Sequence, residues 1–552
     1  MAIQGFDEPV QTAGALPTEG DALRLIGKAV VPPVLNDPNQ RVAMGLPAGE
    51  DEPGRYMIEL NTLYRGGLHS AANAFHELWS TVLGEAEGGH RQPIEISKSY
   101  YQVRITVREW RELIRRDEQA AGGDPGLRII YKLWPDFKVK ALIDRSVATV
   151  KADAAYKAYS ATGSGITWAV IDSGIDGTHP HFGSDRTEDE QRRSTLYHPS
   201  VAELHFDFTS DEVASPGSPD VTAAERQASA ASALVDDLGH GTHVAGIIAG
   251  GLPPDAVESS QLALGGQVRF AVFEQVFEAN PEGDRVWGDK RPAPRHVPQP
   301  DALHGVAPKC LLVSLKVLDG EGNGRVSDIM RALVYVREQL NDDPKMLRIH
   351  GVNLSVGYDF DPQMFACGQS PLCIEVDRLV RSGVVVVTAA GNTGYGSVSA
   401  AERQTNAGLS NTINDPGNAS LAITVGSTHR DAPHTYGVSF FSSKGPTGDG
   451  RLKPDLVAPG ERITSCAAKS KCKKMGIEVD DDVAAYVDDS GTSMAAPHVS
   501  GAIAAFLSIR REFIQRPEDV KRIFLDSATS LGRERYFEGH GLVDLMRAIQ
   551  SV

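Results

Sequence analysis

The chain is poor in cysteine and in aromatic residues, lacks a surplus of positive charge, and contains no long apolar run. Five cysteines in 552 residues do not make a disulfide scaffold. Two pairs share one spacing, Cys367/Cys373 in "CGQSPLC" and Cys466/Cys472 in "CAAKSKC". Either pair could close a short loop, but the odd count favours free thiols in a reducing compartment. Neither pair has the C-x₂-C spacing of a zinc site. Basic residues number 55 against 72 acidic ones, a net charge of −17, which argues against a phosphate-binding surface and a nucleic-acid partner. No apolar run reaches the ~18 residues of a membrane helix, so no membrane partner is expected. The start "MAIQGFDEPVQTAG" has neither a basic n-region nor an apolar core, so a cytoplasmic location is expected. No internal repeat is present.

What remains is an ordinary globular composition, 41% hydrophobic and 23% charged, with enough apolar residues for a large core. Residues 1–50, rich in Pro, Gly and acidic residues, read as an irregular lead. From 51 to 145 strand-like "RYMIELN", "PIEISKSYYQVRIT" and "LRIIYKLW" alternate with helix-like "HSAANAFHELWSTVLG" and "VREWRELIRRDEQAA". That β-α-β-β-α-β order predicts a small α+β, ferredoxin-like domain. Residues 146–552 contain short, continuous apolar runs such as "ITWAVID", "LLVSLKVL", "HGVNLSV", "VVVVTA" and "LAITVG". Helical stretches alternate with them at 240–250, 326–340, 373–382 and 493–511. The pattern predicts an α/β domain with a parallel sheet and helices on both faces. Two segments interrupt it. Residues 183–235 are small and polar and read as a mobile loop, and 251–303, with one strand candidate and five prolines after residue 280, reads as a surface insertion.

Ser493, in "DSGTSMAAPHVSGAIAAFL", stands at the entrance of an apolar helix, where unpartnered N–H groups favour an anion. Alone it reads as an N-cap. A serine becomes a nucleophile only when a base takes its proton and a third group orients the base. His240 in "DDLGHGTHVAGIIAG" begins another helix, and Asp172 in "AVIDSGIDG" ends a buried strand, at the edge where α/β sheets gather ligands. Asn392 in "VVVVTAAGNTG" ends a further strand and could donate an amide to an oxyanion. Singly, Asp172 and Asn392 read as turn residues and His240 as a solvent-facing helix start. Together they occur in the order Asp, His, Ser, which the subtilisin triad uses and the chymotrypsin and α/β-hydrolase triads do not.

The boxes "AVIDSGIDGTHP", "GHGTHVAGIIAG", "AAGNTG" and "GTSMAAPHVSG" resemble the signature boxes of the subtilisin-like serine peptidases, over roughly residues 163–552. The resemblance implies peptide-bond hydrolysis through an acyl-enzyme. Asp172 would orient the imidazole, His240 would act as base then acid, Ser493 as nucleophile and Asn392 as oxyanion donor. His243 matches a structural position. An imidazole base must be unprotonated, so activity at neutral to alkaline pH is expected. Family members bind extended protein or peptide substrates between two backbone segments, here Gly322, Asn323 and Gly324 and then Ser355, Val356 and Gly357. Ala389, Ala390 and Gly391 would bound the primary pocket, with its floor near Asn414.

No cofactor or metal ligand is read from the sequence. The family's calcium loops are not recognisable, and a calcium requirement stays open. The acidic runs Asp480–Asp482 and Asp488–Asp489 read as solvated loop, or as a preference for basic substrate residues. By pattern and position, residues 55–133 resemble an inhibitory pro-domain, an intramolecular partner released by self-cleavage within 134–162; a permanent accessory domain is the alternative. A catalytically silent scaffold and a small-molecule hydrolase are the competing functions. The filled chemical positions speak against the first and the backbone-binding segments against the second.

Overall fold

The computed structural model describes residues 31, 33–43, 46–84, 92–136, 138–141, 148–210, 221–260, 267–279, 285–297, 303–343, 345–400 and 403–552. Most of the expected irregular lead and parts of both insertions lie outside them. The chain divides into two compact units, Met1–Asp136 and Phe137–Val552. The sequence reading set that boundary at 145. The difference is the strand Lys138–Ala141, whose backbone partners belong to the larger unit.

In the smaller unit the strands are β1 (Gly54–Leu60), β2 (Ile94–Ser97), β3 (Tyr100–Ile105) and β4 (Ile130–Pro135). They form one antiparallel sheet in the order β2-β3-β1-β4. Successive residues of a strand face opposite ways, so Tyr56, Ile58 and Leu60 share a face with Tyr101, Val103 and Ile105. Helices Gly67–Leu83 and Val107–Ala121 add Phe75, Trp79, Trp110 and Leu113 to that core. Thr106 and Glu109 cap the second helix reciprocally, each side chain accepting from the other's backbone N–H.

In the larger unit the strands are β5 (Lys138–Ala141), β6 (Thr167–Asp172), β7 (Phe206–Asp207), β8 (Val257–Glu258), β9 (Arg269–Ala279), β10 (Arg285–Pro294) and β11 (Leu311–Lys316). Next come β12 (Asn323–Arg325), β13 (Gly351–Leu354), β14 (Val356–Gly357), β15 (Val385–Ala389), β16 (Tyr395–Ala400), β17 (Arg403–Gly408) and β18 (Ile423–His429). The last are β19 (Leu456–Glu461), β20 (Ile463–Cys466) and β21 (Val483–Asp489). Seven of these form a parallel sheet in the order β19-β18-β15-β13-β6-β11-β7. β6 is buried along its whole length, as expected of a parallel strand covered on both faces. The chain proceeds from β6 through β7 and β11 on one side, then returns to β13 on the other. That switch opens a crevice at the carboxyl ends of β6 and β13.

Both interruptions are more ordered than the sequence suggested. Within 183–235, β7 supplies the sheet edge, and a helix runs over Ala223–Ala233 with a Thr222/Glu225 capping box. The T-x-x-E spacing carried that signal, unread among the small residues. Within 251–303, β9 and β10 form a long hairpin that extends β21 in a second sheet, β10-β9-β21-β20, with β8 against β9. Asp480 and Asp482 there pair with Arg269. Asp488 and Asp489 are not solvated loop but the end of β21, the first accepting from Gln275 N and the second from Lys471.

The helix Thr492–Ile509, which carries Ser493, is long and apolar enough to cross a membrane, but 89% of it is buried inside the protein as a core helix. All five cysteines are free and buried. Burial pushes the Cys472 thiol up to about 11 and Cys310 and Cys466 higher still, so they are poor nucleophiles.

Several histidines are buried and neutral. His205 lies between the Leu196 carbonyl and the Ser314 N–H, at 3.0 and 2.9 Å. His181 bonds the Tyr486 hydroxyl and the Ala249 carbonyl. Burial pushes His181 and His498 down to about 3 and His205 and His350 down to about 4, and shifts His179 the same way. The folded chain keeps these rings neutral, whereas the unfolded chain protonates them below an ordinary value near ~6.5. Their contribution is complete above that pH and is lost as pH falls toward 4, by about 1.4 kcal/mol per pH unit for each ring. Urea unfolding of a Ser493→Ala chain should show a lower midpoint at about pH 5 than at about pH 7; equal midpoints would contradict this.

Candidate active site

Asp172 is the last residue of β6, and its side chain is buried at the crevice. Its Oδ1 accepts from Ser173 N at 2.8 Å and from His240 Nδ1 at 2.6 Å. Both partners are about 1% exposed, so little water competes for this charge-assisted contact. His240 opens the helix His240–Ile248, whose N-cap is Gly239 with φ of 86°. A Cβ there would stand 2.5 Å from Lys471 Cβ, so the entry turn requires glycine in both conformation and space.

The entry is fixed by Asp236, a residue for which the sequence reading had no role. Its Oδ1 accepts from Ser173 Oγ (2.8 Å) and Gly239 N (2.7 Å), and its Oδ2 from Thr242 N (2.8 Å) and Thr242 Oγ1 (2.6 Å). Ser173 Oγ in turn accepts from Gly241 N at 2.9 Å. One carboxylate thus joins the end of β6 to the start of the histidine helix. Burial raises its proton affinity, and the four donors oppose that rise. An acidic residue shortly before a helix start was the available signal. His243, one turn on, bonds the Val487 carbonyl at 3.3 Å.

Ser493 is the second residue of its helix and is fully buried. Its Oγ donates to the Ser355 carbonyl at 3.1 Å, and Ser355 Oγ donates back to the Ser493 carbonyl at 2.7 Å. Asn353 Nδ2 donates to Ser355 Oγ, and Ser500 Oγ to Asn353 Oδ1. This chain, also missed in the sequence, ties the end of β13 to the serine helix. Asn392 Oδ1 accepts from Thr492 N (2.9 Å) and Thr492 Oγ1 (3.0 Å). With its oxygen engaged there, the opposite end of the amide is a donor beside the serine helix N-terminus.

The two expected backbone segments overlap strands β12 and β14, with Gly322 and Ser355 just outside them, and β5 lies between those strands. It pairs antiparallel with both: Lys138, Val139 and Lys140 face Arg325, Gly324 and Asn323, while Lys140 and Ala141 face Gly357 and Val356. Ala389 ends β15, and Ala390 exchanges backbone bonds with Val425 and Asn414. Gly391 has φ of 109°, and a Cβ on it would meet Asn414 Cγ at 2.7 Å. Asn414, with Oδ1 accepting from Thr393 Oγ1, therefore adjoins Gly391. Among the described residues no three His, Cys, Asp or Glu side chains group as metal ligands.

Residues 163–542 match the subtilase family. The chain belongs to that family. Relatives include pyrolysin of Pyrococcus furiosus, 30% identical over 348 residues, which are 57% of this chain and 21% of pyrolysin. Serine protease AprX of Bacillus subtilis is 27% identical over 408 residues, 71% of this chain and 68% of AprX. Subtilisin E, also of Bacillus subtilis, is 26% identical over 404 residues, 73% of this chain and 70% of that protein. The chain thus spans about a fifth of pyrolysin and just over two thirds of the others. Its matched region is a subtilase-type serine endopeptidase domain with the expected parallel α/β sheet.

Asp236→Asn offers one acceptor oxygen to four donors. In a Ser493→Ala background it should lower the unfolding free energy by about 1–3 kcal/mol. Unchanged urea midpoints would remove the tie assigned to this carboxylate.

Proposed function

We propose that the chain hydrolyses protein or peptide substrates through Asp172, His240 and Ser493, and that the described state is a self-inhibited precursor. The observation that carries the second part is β5 lying as an extended strand between β12 and β14. Subtilase substrates would be held by strand addition to those segments, so the protein's own chain occupies the substrate track.

The Asp172–His240 contact supports the following chemistry. His240 accepts the Ser493 proton as the oxygen attacks the carbonyl carbon, and Asp172 holds the imidazole by its Nδ1–H and stabilises the cation that forms. The Asn392 amide and the N–H groups at the start of the serine helix receive the oxyanion. The protonated imidazole then gives its proton to the leaving amine, and water hydrolyses the acyl-enzyme through the same base. Ser355 immediately precedes β14, so its carbonyl lies at the end of the track. An N–H offered to that carbonyl would compete with the Ser493 hydroxyl, which now donates to it, and free the hydroxyl for the imidazole.

In this reading Met1–Asp136 is the pro-domain, and the bond cut lies within a few residues after Ala141. Incubated wild-type protein should lose its N-terminal region and acquire a new terminus there by mass spectrometry, while Ser493→Ala stays at 59.2 kDa. A fluorophosphonate probe should label the processed wild type and not Ser493→Ala. Asn392→Ala should keep activity reduced by about 10²–10³-fold, against about 10⁴-fold or more for Ser493→Ala, magnitudes set by subtilisin and chymotrypsin themselves. Equal processing of the Ser493→Ala chain would end the self-cleavage reading, and absence of labelling in the wild type would end the peptidase reading.

A further inference from the structure

At the sheet edge away from Asp172, a cavity of about 650 Å³ opens at the amino ends of the strands. Thr167, which begins β6, Leu311, which begins β11, and His350, just before β13, line its inner wall. Four cationic side chains surround it: Arg192 and Arg193 from the helix Glu188–Arg193, Lys309 from the turn before β11, and Arg348 from the turn before β13. Among the described residues no carboxylate lines it.

Three separate segments thus bring cations to one hollow of a chain whose net charge is −17. Such convergence stands out, because like charges are normally dispersed or paired. Arg192 lies 3.8 Å from Glu188, an exposed pair on one helix that is worth little. Among the described residues Arg193, Lys309 and Arg348 form no ion pair. His350 Nδ1 accepts from Thr167 N at 3.1 Å, so the neutral ring carries its proton on Nε2 as a further donor. Ser164 and Thr167 add hydroxyls to the lining, while those of Ser194 and Thr195 donate to the Phe182 carbonyl and that of Ser200 bonds His198.

We propose that this hollow binds a small oligophosphate, an anion with two or more phosphate groups. Guanidinium groups match phosphate oxygens bidentately, and lysine adds a point charge. The volume lies in the ~300–1,000 Å³ range of small-molecule sites and exceeds the need of one simple anion. The overall acidity that argues against an extended phosphate-binding surface is reversed only locally. It still opposes a nucleic-acid polymer, whose charge extends far past the hollow. Exposed Met346 and buried Leu347 border the site on one side, an apolar wall for an organic substituent. The cavity lies outside the substrate track and does not depend on the catalytic reading.

The test uses the full Ser493→Ala chain at fixed ionic strength, titrated calorimetrically with inorganic triphosphate and separately with adenosine triphosphate. Saturable one-site binding is expected for both, with a rise in Tm as ligand exceeds Kd. Equal affinities would assign recognition to the phosphates alone, and tighter nucleotide binding would add the apolar wall; either supports the site. The Arg193→Gln/Arg348→Gln chain should bind at least tenfold more weakly with its unliganded Tm preserved. Lys309→Glu, a single change at an exposed position, should do the same and serves if the double variant fails to fold. Absence of saturable binding at millimolar triphosphate, unchanged affinity in Lys309→Glu, or tighter binding of a short DNA duplex would overturn the proposal.

Discussion

The buried contact between Asp172 and His240 constrains much of this fold. A carboxylate at the end of a central strand must meet the first residue of a helix 68 positions later, both without water. A misaligned pair would strand a charge, at a cost of several kcal/mol. The parallel sheet sets the strand end, and Asp236 sets the helix start. Gly239 makes the turn between them possible. The serine helix is held separately, by its own hydrogen bonds to Ser355 and Asn392. The crevice is thus assembled from strand and helix ends, rigid elements that hold side chains more closely than free loops do.

What the sequence made legible is whatever depends on neighbours along the chain. Continuous apolar runs marked the parallel strands, and small-residue boxes marked Asp172, His240, Asn392 and Ser493. The β-α-β-β-α-β rhythm of the first unit is present in its sheet order. Less legible were features whose partners are distant. Asp236 sits among ordinary acidic residues until its four donors are seen in space. Asn353 and Ser500 are bland polar residues until they link a strand to a helix 147 positions away. "KVKA" carries no strand signal of its own, because its pairing partners lie about 183 to 217 residues downstream.

The insertion at 251–303 illustrates a different limit. Its prolines argued against a strand, yet Pro292 and Pro294 belong to β10, which ends the sheet path. An edge strand has one side without a neighbour, and there a missing N–H costs nothing. Prolines at such a position also deny a second protein an edge to pair with. The same reasoning explains why β7, supplied by the other interruption, is so short: a two-residue edge offers little to recruit.

The strand between β12 and β14 is covalently part of the chain it occupies, and that connection changes what competition means. A tethered segment behaves as a ligand at an effective concentration of millimolar order, above any ordinary level of a free peptide. In the self-inhibited reading, moderately favourable backbone pairing is then enough to keep the segment between β12 and β14. Once the connection is cut beyond Ala141, the segment is the end of a separate N-terminal fragment and holds its place only at that fragment's free concentration. One broken bond therefore changes occupancy through entropy alone, without any contact in the track having to weaken.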